Sequence, residues 1–230
     1  MTDNELKAHE GLRAAAPEFV KITDDFAFGE APEAAALDGR TRCLASLAAL
    51  IGCGGIDEYE ALLPSAADEL KKEEIFETVY QSAAYLGIGR VRPFVAATAK
   101  TLGNDEPGRS VTTKKDRAEK GEQAQVDIFG EGMRGFASKS TMNRFLSANC
   151  FGDYYTRKGL PYSDRELITF CFLAAQGGCE PQLKSHAAAN IRVGNGADKL
   201  TAVVLAVLPF IGYPRSLNAL SCVAAAASGA

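Results

Sequence analysis

The residues able to do chemistry gather in one stretch, GGCEPQLKSHAAANIRVG (177–194). Cys179 follows two glycines, and His186, one of two histidines in the chain, comes seven residues later. Pro181 suits the first turn of a helix, where its missing N–H costs nothing. The spacing predicts a helix over QLKSHAAANIR, ending near Gly194 or Gly196. Cys179 then stands just ahead of the helix N-terminus, where unpaired N–H groups and the macrodipole favour a thiolate and lower the pKa. His186 shares a helix face with it, about 10 Å along the axis at 1.5 Å per residue. A direct Cys–His bond is not expected, but both side chains can line one cavity. The plainer reading is a small buried cysteine and a histidine satisfied within a core.

The elements that must position these residues read as helices. EEIFETVYQSAAYLG (73–87) carries apolar residues at helical spacing. RTRCLASLAALIG (40–52) and ELITFCFLAAQG (166–177) are apolar nearly all round and should be buried helices. Glycines at 52, 54, 55, 87, 89, 177 and 178 mark their ends. Alternating runs that would signal strands are hard to find.

The helices repeat. DGRTRCLASLAALIGC (38–53) matches SDRELITFCFLAAQGGC (163–179), and YLGIGR (85–90) matches FIGYPR (210–215), both about 125 residues apart. Between them GNDEPGRSVTTKKDRAEKGEQ (103–123), with Pro107, reads as a polar linker. The expectation is an all-α chain of two tandem helical repeats, 1–112 and 113–230.

Composition narrows the function classes. The net charge is −4 and there is no Trp, so no basic, aromatic-interleaved stripe points to nucleic acid. Lys114, Lys115, Arg117 and Lys120 alternate with Asp116, Glu119 and Glu122, as on a solvated face. The longest apolar run, Leu200 to Ile211, is too short to cross a bilayer, which takes about 20 residues. The N-terminal residues lack the apolar core of a secretory signal. Six widely spaced cysteines do not make a disulfide framework, so a cytoplasmic protein with reduced thiols is expected.

RELITFCFLAAQGGCEPQLKSHAAANIRVG resembles the carboxymuconolactone decarboxylase family, within the alkylhydroperoxidase D-like superfamily. Arg165, Leu167, Ile168, Thr169, Leu173, Gly178, Leu183, His186 and Asn190 fall on its pattern. AFGEAPEAAALDGRTRCLASLAALIG (27–52) and EEIFETVYQSAAYLGI (73–88) resemble it as well. The resemblance implies an all-α, alkylhydroperoxidase D-like fold in both halves and a homo-oligomer, a trimer first and a dimer second.

It also implies two competing chemistries. The peroxidase branch uses C-x-x-C-x-x-x-H with an upstream Glu. Here Cys179 and His186 remain, but Gln182 replaces the second cysteine, so a resolving thiol such as Cys150 or Cys171 would be required. In the first repeat Cys53 stands alone, with Ile56 at the second position and Glu60 at the histidine position. The decarboxylase branch needs no metal or other cofactor. Loss of CO2 from an unsaturated lactone acid leaves a dienolate that takes a proton, so a proton donor and anion-binding groups are required.

For that chemistry the resemblance points to Glu30 and His186, approaching within about 8 Å across a repeat or subunit interface if each repeat supplies one. The alternative keeps Asp153, Cys179 and His186 together in the second repeat. Arg40, Arg42, Arg165, Gln81 and Tyr85 are the candidate substrate-binding residues, with internal salt bridges as the plainer reading for the arginines. The expected function is cofactor-free decarboxylation or related lyase chemistry on a small unsaturated lactone acid. A thiol peroxidase using Cys179, and a non-catalytic binding or assembly protein, are the alternatives.

Overall fold

The computed structural model describes residues 10–103 and 110–229. The first residues of the chain and the centre of the linker, with Pro107, lie outside the described residues. Among those described there is no strand, and the fold is all-α, as expected of an alkylhydroperoxidase D-like protein.

The first half begins with α1 (Glu10–Ala15), α2 (Pro17–Asp25), a π-helical segment (Phe26–Glu30) and α3 (Ala31–Ala35). It continues with α4 (Gly39–Cys53), α5 (Ile56–Glu69), α6 (Lys72–Leu86) and α7 (Ile88–Leu102). The second half has α8 (Arg117–Phe129), two short 3₁₀ turns, α9 (Thr141–Phe145) and a longer π-helical segment (Leu146–Tyr155). Then come α10 (Tyr162–Gln176), α11 (Glu180–Arg192), α12 (Ala197–Ile211) and α13 (Tyr213–Ala227). The linker is shorter than the sequence suggests, because α8 begins at Arg117.

The order from α4 to α7 recurs from α10 to α13. Each pair matches in length to within a residue. In both halves a π-helical segment carrying Phe-Gly-acid precedes the buried helix: Phe28, Gly29 and Glu30, then Phe151, Gly152 and Asp153. Glycine ends both α6 and α12: Gly87 at φ 78° and Gly212 at φ 77°. That left-handed turn, which a Cβ would oppose, lets the next helix start at once.

Local signals set the helix ends. Asp38 accepts the Thr41 N–H and caps α4, and Gly54 closes it in the left-handed region. The Glu74 side chain reaches back to the Lys71 N–H at the start of α6. Apolar residues on nearly every face of α4 and α10 then require burial on all sides.

The two halves interlock. Helices α4 and α10 pack against each other through the centre of one continuous core that includes Leu44, Leu47, Ile51, Ile168 and Phe172. They cross where Gly52 meets Ala175 and Phe172 so closely that a Cβ on Gly52 would lie 2.7 Å from the Ala175 Cβ. Helix α6 of the first half lies on α10 and on the second π-helical segment. Helix α12 of the second half lies in the same way on α3, α4 and the first π-helical segment. Each half thus lends one helix to the other, and a pocket in either half has a wall from its neighbour.

Candidate functional site

A cavity of about 730 Å³ opens in the second half. His186 and Cys179 from α11 both line it, as do Tyr85 from α6, Cys150 and Phe151 from the π-helical segment, and Phe129 from α8. Its walls are mainly apolar, and no Lys or Arg lines it.

His186 is fixed on three sides. Its Nδ1 lies 2.7 Å from Oε2 of Glu166 on α10. Its ring meets Tyr85 and Phe129 edge to face, with centroids 5.5 and 5.4 Å away. Glu166 is fully buried. A buried carboxylate requires partners. Oε1 of Glu166 accepts the Tyr155 hydroxyl at 2.8 Å. Since Tyr155 has one hydroxyl proton, the Tyr85 and Thr169 hydroxyls, 2.7 and 2.8 Å from its oxygen, must donate to it. Gln81 Nε2 donates to both Thr169 Oγ1 and the Arg165 carbonyl. The network therefore spans three helices and the π-helical segment, and it fixes the carboxylate that orients the imidazole.

Asn190 ties the framework together. Its Nδ2 donates to the carbonyls of Glu166 and His186, and its Oδ1 accepts from Asn195. Burial, together with the negative charge of Glu166, pushes the Tyr85 and Tyr155 hydroxyls well above their usual range. Burial also pushes the Cys150 thiol up to about 12. These groups stay protonated at neutral pH.

The geometry at Cys179 departs from the sequence expectation. Cys179 is the N-cap residue of α11, with Pro181 in the first turn as expected. Its thiol does not cap the helix. It donates to the Leu173 carbonyl at 3.4 Å instead. Partial burial and the neighbouring Glu180 carboxylate raise its pKa rather than lower it. The helix terminus fails to win because the sulfur points away from the free N–H groups, toward α10. Cys150 shares the cavity, whereas Cys171, the other suggested resolving thiol, is fully buried in the core.

Of the remaining expected site residues, Tyr85 alone lines this cavity. Glu30 is exposed and Asp153 pairs with Arg117 and Asn149; neither reaches the cavity wall. One chain therefore does not bring Glu30 to His186. Arg40 is held by Glu74 at 2.6 Å and by Asp164, an ion pair across the halves. Arg165 is fully buried, donating to Gln81 Oε1, to Glu77 at 3.0 Å and to the Arg157 carbonyl. For both arginines the internal salt bridge is the reading that the geometry supports. Gln81 orients Thr169 from behind the cavity wall. Arg42 lines a separate pocket in the first half.

That pocket, about 160 Å³, occupies the first-half positions that match the His186–Glu166 network, whereas a neighbouring pocket of about 270 Å³ matches the cavity lining, with Leu50, Cys53 and Glu58 at the places of Leu173, Gln176 and Gln182. In register, α4 sets Cys43 where α10 sets Glu166, and Ser46 where it sets Thr169. Counted from the N-caps Gly55 and Cys179, Leu62 takes the place of His186. Glu60, expected there, is one residue-pair out of register and exposed. Phe210 takes the place of Tyr85, and Pro32 that of Tyr155. Every member of the acid–base network is replaced.

Sequence reasoning missed Glu166, Tyr155 and Thr169 as a network. Glu166 left one signal: a carboxylate beginning the apolar run ELITFCFL, where a buried charge requires a partner. Among the described residues no helix is long and apolar enough to cross a membrane, and no three His, Cys, Asp or Glu side chains are placed to hold a metal ion.

Residues 141–225, from α9 into α13, match the family model described as the Carboxymuconolactone decarboxylase family. The chain matches none of the curated proteins compared with it.

Proposed function

We propose that the chain, whose residues 141–225 match the carboxymuconolactone decarboxylase family model, is an acid–base enzyme in which His186 transfers a proton to or from a small unsaturated lactone acid. One observation carries this reading: the imidazole has Nδ1 anchored to a buried carboxylate 2.7 Å away while the ring borders the cavity. Nε2 is then the nitrogen left for substrate, as a general acid or base requires.

In the proposed reaction the bond from the ring carbon to the carboxylate breaks and CO2 leaves. Its electron pair moves into the conjugated lactone carbonyl. The His186 imidazolium, stabilised by Glu166, gives its Nε2 proton to the resulting dienolate carbon, and solvent then returns a proton to the neutral imidazole. Because no Lys or Arg lines the cavity, a substrate carboxylate finds its cationic partner in His186.

The matching of the two halves supports reading the chain as tandem copies joined near residue 112. The second copy then keeps the acid–base site and the first has lost it. A thiol peroxidase remains the alternative, favoured by the presence of Cys179 in the same cavity and disfavoured by its raised pKa.

The test is turnover of a carboxylated muconolactone, followed as CO2 release, with His186→Asn, Glu166→Gln and Cys179→Ser. Loss of about 10²–10⁴-fold in the first two is expected, with Cys179→Ser unaffected. Absence of decarboxylation, together with peroxide reduction that Cys179→Ser abolishes, would replace this reading by the thiol one.

A further inference from the structure

We infer that the first-half pocket is a binding site for a small organic monocarboxylate, held by Arg42 without turnover. The argument begins with two arginines at matching positions. Arg165 is the fourth residue of α10 and Arg42 the fourth of α4. Arg165 is held by groups from α6: the Glu77 carboxylate and the Gln81 amide oxygen. On α12, the helix that faces Arg42, the same two positions hold Ala202 and Ala206. The arginine has stayed and its partners have gone.

The consequence is visible in the surroundings of Arg42. Among the described residues it makes no ion pair and no side-chain hydrogen bond, and it is half-buried at the pocket wall. Ala206 lines the same pocket, so the space a glutamine would fill is open. A guanidinium removed in part from water favours a carboxylate, which it can meet with two parallel hydrogen bonds.

Shape and charge narrow the ligand. The volume, about 160 Å³, compares with a cavity of about 150 Å³ that accommodates benzene. Phe28, Phe210, Pro32 and Leu62 supply apolar walls for a flat hydrocarbon body. Glu69 is exposed at the rim, with its carboxylate over Gly39, and its charge opposes a second negative group on the ligand. A ligand the size of benzoate, with one carboxylate, meets all three conditions. Leu62 and Cys43 stand where the catalytic pair would be, so such a ligand is bound and not transformed.

The probe is benzoate, titrated calorimetrically into the full chain, with benzamide as the uncharged control. Wild type should bind benzoate and not benzamide. Arg42→Met should weaken binding about tenfold or more, the loss of a charge-assisted hydrogen bond. Ala202→Glu supplies the missing internal carboxylate on a half-exposed helix position and should weaken binding similarly, while leaving Arg42 in place. It keeps the test decisive if Arg42→Met fails to fold. His186→Asn should leave the Arg42-dependent part of benzoate binding in place, which separates this pocket from the proposed catalytic cavity. Undiminished binding in a folded Arg42→Met or Ala202→Glu protein, loss confined to His186→Asn, or no benzoate binding by wild type at millimolar concentration would each overturn the proposal.

Discussion

Nδ1 of His186 lies 2.7 Å from Oε2 of Glu166, twenty residues earlier on the adjoining helix, and the carboxylate has no exposure to solvent. The second oxygen is held by Tyr155, which is held in turn by Tyr85 and Thr169. The imidazole thus inherits its orientation from side chains on three other elements, one of them in the other half of the chain.

Removing one link should be costly. Tyr155→Phe leaves Oε1 of Glu166 without its donor and the hydroxyls of Tyr85 and Thr169 without their acceptor. A buried polar group left unpaired costs about 1–3 kcal/mol. Urea denaturation should show a loss in that range or above it. A change within error would mean that the hydroxyl network is not formed in solution.

The halves are joined by buried charge. Glu77 on α6 bonds Arg165 on α10 and Arg157, and both Glu77 and Arg165 are fully buried. Glu77→Ala leaves the Arg165 guanidinium buried with its main counter-charge gone. The expected cost is about 3–5 kcal/mol, read as a lowered denaturation midpoint. Surface pairs such as Lys120–Asp116 should matter far less, at most about 1 kcal/mol.

Two glycines at matching positions should behave differently. A Cβ on Gly152 would lie 2.1 Å from the Arg117 carbonyl oxygen, because α8 crosses the π-helical segment there. A Cβ on Gly29 meets nothing within 4 Å. Gly152→Ala should therefore destabilise by about 1–3 kcal/mol or more, as overpacking does, while Gly29→Ala should be close to neutral. Thermal melts of the two variants compare them directly, and equal effects would contradict this packing.

The Cys179 thiol should be slow to react. Its pKa is raised, by burial first and by the Glu180 carboxylate second. A raised thiol pKa means less thiolate at pH 7, and a reaction rate that climbs only above the ordinary value of about 8.5. Alkylation at Cys179, followed by mass across pH 6–10, should show an apparent pKa above that of a free cysteine. Fast labelling near pH 6 would restore the thiolate expected from helix position alone.

That last case shows where sequence reasoning stops. Pro181 and the preceding glycines do start a helix with Cys179 at its N-cap. The direction of the sulfur is another matter, set by how α10 packs alongside and offers the Leu173 carbonyl. Similarly, Arg40 and Arg165 were recognisable as arginines near helix starts that require anionic partners. Whether those partners were ligands or Glu74, Asp164 and Glu77 depended on which helices the folded chain brings together, within and across the halves.

The sequence by itself determined the helices, their glycine ends and the repeated order, because periodicity, caps and left-handed glycines act over a few residues. It determined too that His186 and Cys179 share a helix face. Only the tertiary structure decided that Glu166 rather than Glu30 meets His186, and that Tyr85 reaches the cavity from the other half. It also decided that Arg42 is left without the carboxylate and amide partners that hold Arg165. These outcomes depend on which helix each half lends to the other, and that exchange is fixed by long-range packing around the α4–α10 crossing.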